Sequence, residues 1–170
     1  LRQKIVSTVN ATDNTGATNS FRLSTDYCIG ASGSKSGFDA DNGGVAVAVC
    51  ADNWLSTQKG WYMDLPGSGE RVAFNGLIRN DRIVFPTLIP SSTPCLAGGD
   101  SWLMELDALT GRRLNLTPFD VNGDGKFDAS DLLSSSSCAN CSASGLKPSG
   151  GGVITTPTVI KSKDDQNKEF

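Results

Sequence analysis

The stretch RNDRIVFPTLIPSSTPCLAGGDSWLMELDALTG, residues 79–111, decides the fold class. Two runs rich in β-branched and aromatic residues, RIVFPTLI and SWLMELD, flank a Pro/Ser/Gly break and end in an Asp-x-x-Thr-Gly turn. Runs of this kind, bounded by turn residues, pack well on pleated surfaces and mark antiparallel strands. Upstream, GWYMDL, the turn PGSGE and the run RVAFN continue the same punctuation, so an antiparallel meander is expected from Trp61 onward.

Outward from this centre the signals weaken. Residues 1–27 suggest a short helix or strand, a polar loop at NATDNTGATNS and a strand at FRLSTDY. Residues 28–50 form an insert bracketed by Cys28 and Cys50, with a turn at DADNGG and an alternating strand pattern in VAVAV. The segment 134–152, SSSSCANCSASGLKPSGGG, is of low complexity and is expected to be loop that carries no core. GGVITTPTVI could begin a further blade of a propeller, and KSKDDQNKEF is expected to fray.

The chain has 170 residues, which suits one β-rich domain over 1–170. Hydrophobic residues make up 38% and there are 19 glycines, a balance that favours a turn-rich β protein over a helical bundle. The net charge is −3 with scattered Lys and Arg, so nucleic acid is not an expected partner. No apolar run reaches the roughly 20 residues of a membrane helix. The chain therefore reads as a soluble segment of a longer precursor, without membrane insertion.

Five cysteines and no histidine argue against zinc, because an all-cysteine site needs more than the single close pair in CANC. Disulfides are the better reading, with Cys28–Cys50 favoured as a strap worth about 3 kcal/mol through the unfolded state.

The absence of histidine also removes Ser-His-Asp and Cys-His catalysis. Two Ser-x-x-Lys tetrads, at 32–35 and 56–59, lack supporting motifs, and Glu70 and Glu105 sit in turn and strand contexts without a pocket signal. Trp54, Trp61, Tyr62, Phe85 and Trp102 could form a sugar platform but read better as core. No enzyme activity is expected.

The clearest chemical signal is DVNGDGKFDASD, residues 120–131. Calcium takes six to eight hard oxygens, and alternate acidic or amide side chains in a tight loop supply them. Asp120, Asn122 and Asp124 alternate in this way, Gly125 permits the sharp turn, Lys126 offers its carbonyl, and Asp128 and Asp131 complete positions nine and twelve. A short helix could start in ASDLL, with Ser130 or Asp131 near its cap. A weaker acidic patch, Asp39, Asp41 and Asn42, reads as a turn.

Taken in order, GWYMDLP, then TLIPSSTPCLAGGDSWLMELDALTG, then FDVNGDGKFDASDLL resemble the C-terminal region of PilY-type (PilC-like) type IV pilus biogenesis and tip-adhesin proteins. The likeness covers residues 59–160 well and FRLSTDY weakly, and the 28–50 insert lies outside it. It implies a fragment of a modified β-propeller with an EF-hand-like calcium loop, extracellular at the pilus tip or cell surface. Carried over, the ligands are Asp120, Asn122, Asp124, the Lys126 carbonyl, Asp128 and Asp131. The implied role is calcium control of pilus extension and retraction, twitching motility and adhesion, with pilins or minor pilins, and host or abiotic surfaces, as partners. DVNGDGKFDASDL also resembles a dockerin loop, which would demand a helical pair, and LDALTG echoes quinoprotein propeller turns.

Overall fold

The computed structural model describes residues 3–12, 18–29, 35–38, 60–93, 98–135 and 138–160. The residues Asp39, Asp41, Asn42, Cys50 and Trp54, the VAVAV run, and most of both Ser-x-x-Lys tetrads lie outside them. The described strands are β1 (Gln3–Thr12), β2 (Thr18–Ile29), β3 (Lys35–Phe38), β4 (Trp61–Met63), β5 (Leu77–Arg79), β6 (Arg82–Pro90), β7 (Gly99–Asp107), β8 (Leu133–Ser135), β9 (Cys138–Cys141) and β10 (Gly145–Leu146). One 3₁₀ turn, Ala129–Asp131, is the sole helical element among the described residues, so the helical pair of a dockerin is not formed there.

The strands make one sheet in the order β5-β6-β7-β10-β2-β1-β8-β9, with β3 added to β2 and β4 to β1. The expected meander is present in β5-β6-β7, all antiparallel. Asn80 and Asp81 turn β5 into β6 with positive φ at both positions (48° and 60°), the mirror-image turn that matches strand twist. The meander stops short at each end: β4 pairs in parallel with β1, and β10 inserts between β7 and β2. The described part of residues 1–27 forms two long antiparallel strands, β1 and β2, which take up both ends of the expected loop.

RVAFN is not a strand. Only Arg71 bridges to Leu88, with backbone bonds in both directions (3.0 and 2.8 Å). The Leu88 N–H points to that side of β6, and so by alternation does the nitrogen of Pro86. Proline offers no donor there, which leaves a gap between the Val84–Leu77 pair and the Arg71 bridge. Residues 151–160 likewise form no strand, so no further blade begins there.

Alternation along β7 feeds both faces of the sheet. Trp102, Met104 and Leu106 join Phe85 on one face, with Trp61, Met63, Ile83 and Ile89 at its margin. Trp61, Phe85 and Trp102 thus lie in or against the core, as expected, while Tyr62 is partly exposed. On the other face Leu103 packs with Leu146 against Phe21, Phe119, Leu133, Cys141 and Ala143. The register carries this division through three strands: Met104, Gly145 and Arg22 align, and so do Leu103, Leu146 and Phe21.

The segment 134–152 therefore does carry core, contrary to its composition. Cys141, Ala143 and Ser144 are fully or almost fully buried. Small side chains are what this place requires, since a Cβ on Gly145 would lie 2.5 Å from the Met104 sulfur. The Ser142 hydroxyl donates to the Leu114 carbonyl and fixes the segment to the chain that leads into the acidic loop. Cys141 is disulfide-bonded. Cys50, one half of the expected Cys28–Cys50 strap, lies outside the described residues.

Candidate metal centre

The acidic loop leaves and rejoins the core at two buried residues of one cluster, Phe119 before it and Leu133 after it. Val121 packs on the same cluster, and residues 122–130 are exposed. The sequence has placed polar, turn-forming residues between two apolar anchors, so the loop stands out from the sheet while its ends are held.

Inside the loop each acidic or amide side chain folds back onto nearby backbone N–H groups. Asp120 Oδ1 accepts from Gly123 N (2.7 Å) and Asp124 N (3.2 Å), and its Oδ2 accepts from Gly125 N (2.8 Å). Asn122 Oδ1 accepts from Asp124 N (2.9 Å), and Asp124 Oδ1 accepts from Lys126 N (2.8 Å). These are successive Asx turns, and they need left-handed backbone at Gly123 (φ 75°) and Gly125 (φ 78°). A Cβ at either glycine would meet open space, so φ alone selects glycine at both.

Asp131 is fully buried and closes the loop. Its Oδ1 accepts from Val121 N (2.8 Å) and Asn122 N (3.4 Å), and its Oδ2 accepts from Asp128 N (2.9 Å). Asp128 caps the 3₁₀ turn by accepting from Ser130 N (2.8 Å) and Ser130 Oγ (2.7 Å). Together Asp128 and Asp131 form a reciprocal capping box, so the expected cap falls on Asp128 and the expected helix is one 3₁₀ turn. The hydrogen bonds from the Ser130 hydroxyl and N–H hold the Asp128 carboxyl below the ordinary carboxylate range; slight desolvation opposes them and the Lys126 charge assists.

The donor chemistry of this loop fits a calcium ion: hard oxygens, in alternation, on a prefolded turn. Asp124 Oδ2 accepts no hydrogen bond among the described residues, which leaves that carboxylate one oxygen to give. The cage itself is not drawn together. No three His, Cys, Asp or Glu side chains among the described residues gather closely enough to hold an ion.

Glu70 and Glu105, also raised by the sequence, are spent in ion pairs. Glu105 accepts from Arg82 (3.0 Å) across the β6-β7 pair, and burial raises its pKa despite that bond and the Arg82 charge. Glu70 is buried beneath the sheet, where Arg22 reaches both its oxygens (2.6 and 3.0 Å), Thr87 Oγ1 donates at 2.5 Å and Gly67 N at 2.8 Å. Burial raises the Glu70 pKa, but the bonds from Arg22 and Thr87, the Arg22 charge and the Gly67 N–H outweigh it and the net shift is downward. Arg22 also lies 3.8 Å above the Trp102 ring. Sequence inspection missed this polar cluster, because its members are 48 residues apart and no local spacing links them.

No protein-family profile matches the chain. Over 115 residues it is 30% identical to the type IV pilus biogenesis factor PilY1 of Pseudomonas aeruginosa, strains PAO1 and PAK, a match covering 62% of this chain and 10% of that protein. A PilY1 homolog of Xylella fastidiosa is 34% identical over 88 residues, 48% of this chain and 7% of that protein. The fold is similar to the crystal structure of the P. aeruginosa PilY1 C-terminal domain, with a TM-score of 0.59 and 19% identity over 99% of this chain and 28% of that one. The chain thus spans about a tenth of the length of the curated relatives it matches. The family resemblance read from the motifs is to these same proteins.

Proposed function

We propose that this chain is a calcium-binding, non-enzymatic part of the C-terminal region of a PilY-type pilus protein. It would act outside the cell, at the pilus tip or cell surface, where it supports assembly and adhesion. The relatives named as pilus biogenesis factors supply the pilus setting, and the loop supplies the calcium reading. The single observation that carries it is the prefolded loop, in which four carboxylates and an amide are ordered by backbone donors around two left-handed glycines. Asp120, Asn122, Asp124, the Lys126 carbonyl, Asp128 and Asp131 would hold the ion. Bound calcium would supply the positive charge that lets these carboxylates share one small volume.

The residues themselves set the rest of the mechanism. Asp131 keeps the ends of the loop together with or without a ligand, because its oxygens are held by three N–H groups. Asp124 and Asp128 lie on the exposed side, so a change in their orientation alters the surface offered to a pilin or minor pilin. An ion-dependent interface of this kind is how calcium would govern pilus extension and retraction, and hence twitching motility and surface attachment. The described sheet would form part of a modified β-propeller, the acidic loop serving as its EF-hand-like element.

The test is a calorimetric titration of the chelator-stripped chain with calcium, with magnesium as control. One calcium-selective site that disappears in Asp124→Ala, with the circular dichroism unchanged, is the expected result. Equal heats in that variant, or none with the unmodified chain, would reject the assignment.

A further inference from the structure

An asparagine followed by glycine carries a chemistry of its own, because the glycine lacks the Cβ that would keep its backbone nitrogen away from the asparagine side chain. Such pairs occur at Asn42–Gly43, Asn75–Gly76 and Asn122–Gly123. The first lies outside the described residues, and the other two have opposite surroundings.

In the acidic loop every group the reaction needs is occupied. Gly123 N donates to the Asp120 carboxylate at 2.7 Å, which both holds its proton and opposes negative charge on that nitrogen. Asn122 Nδ2 donates to Ser130 Oγ at 2.8 Å, and its Oδ1 accepts from Asp124 N at 2.9 Å, so the side chain is fixed at both ends. Asn75 is exposed in irregular backbone just before β5. Neither its side chain nor Gly76 N makes a hydrogen bond among the described residues. The glycine that makes Asn75 reactive is also favoured by packing, since a Cβ at position 76 would stand 3.0 Å from the Val84 carbonyl and 3.1 Å from Phe85 Cβ.

We propose that Asn75 is a site of spontaneous deamidation and isoaspartate formation, and that the hydrogen bonds of the acidic loop withhold Asn122 from the same reaction. Solvent base removes the Gly76 N–H proton, the nitrogen attacks Asn75 Cγ, and the side-chain nitrogen leaves as ammonia to give a five-membered imide. Water then opens the ring: cleavage at Cγ leaves aspartate, and cleavage at the main-chain carbonyl leaves isoaspartate, with one extra carbon in the backbone. No oxidant or cofactor is needed. Either product puts a new carboxylate next to the tight Gly76–Val84 contact, and isoaspartate also displaces the entry to β5.

The test is timed incubation of the full chain at mildly alkaline pH in chelator, followed by peptide mapping and isoaspartyl methyltransferase labelling at both positions. Conversion at 75 is expected to outpace conversion at 122 by at least about tenfold, the equivalent of ~1.4 kcal/mol for opening the loop's bonds. In denaturant the two rates should converge, and Asn75→Gln should remove the native-state signal at that position. Equal native rates at the two pairs, no conversion at 75, or the same ratio in denaturant would each overturn the proposal.

Discussion

Glu70→Gln isolates one charge in the structure and has a calculable effect. The side chain keeps its length and one carbonyl oxygen, but Arg22, 3% exposed, loses the carboxylate that neutralises it. The new amide nitrogen would face a guanidinium nitrogen where an oxygen now accepts at 2.6 or 3.0 Å. Among the described residues Arg22 has no reserve partner: its Nε is buried and without an acceptor, and the face of Trp102 lies against its guanidinium. Removing one partner of a buried pair costs about 3–5 kcal/mol. For a chain of this length that corresponds to a fall in Tm of roughly 6–20 °C. The assay is thermal and urea unfolding of the chain and of Glu70→Gln, Arg22→Met and the double variant. The double variant is expected to recover most of the loss, because an apolar side chain can lie on Trp102 without a charge to compensate. Single variants within about 1 kcal/mol of the parent, or a double variant whose loss equals the sum of the two, would refute the claim that the pair is coupled and buried.

The same pair sets a pH dependence. The native Glu70 pKa is depressed below 4.5, so its stabilisation is complete above that value and is lost as pH falls through the native pKa. Glu105 is shifted the other way: its penalty is absent below 4.5 and grows as pH rises through its raised native pKa, so acidification relieves it. Urea midpoints from neutral to acid pH should show Glu70→Gln flattening the acid-side loss and Glu105→Gln steepening it. Asp131→Ala in chelator should cost about 2 kcal/mol or more by orphaning the donors of Val121, Asn122 and Asp128, with faster hydrogen exchange at those amides as the readout. Gly145→Ala should cost about 1–3 kcal/mol through the Met104 contact, measured by urea unfolding.

The legible parts of the fold were those encoded by local pattern. RIVFPTLI and SWLMELD have the right composition between turn residues, and they pair over nine positions as β6 and β7. The acidic loop was legible for the same reason, since Asx turns and left-handed glycines act within a few residues of themselves. What stayed hidden depends on distant neighbours. RVAFN has strand propensity, but the missing donor of Pro86 is on another segment. CSASG looks like linker because small residues usually are; here Gly145 lies against Met104, and Cys141 and Ala143 belong to the buried cluster of Phe21. Arg22 and Glu70 are ordinary surface residue types until β2 is laid beside β10 and β7.

That placement also joins the loop to the rest of the sheet. β10 is only two residues long, yet Gly145 aligns with Met104 and Arg22 while Leu146 aligns with Leu103 and Phe21. One face of this three-strand seam carries the Arg22–Trp102–Glu70 cluster, and the other carries the Phe21, Phe119 and Leu133 cluster that anchors both ends of the acidic loop. Ordering the loop would therefore load the apolar face of the seam, and weakening the ion pair would loosen the opposite face of the same strands. Close-packed side chains transmit such displacements because they leave little void to absorb them. If the seam acts in this way, Glu70→Gln should raise hydrogen exchange at Leu133 as well as at Thr87. Exchange confined to the Glu70 side would show that the two faces are mechanically independent, and that the loop rests on its own hydrogen bonds alone.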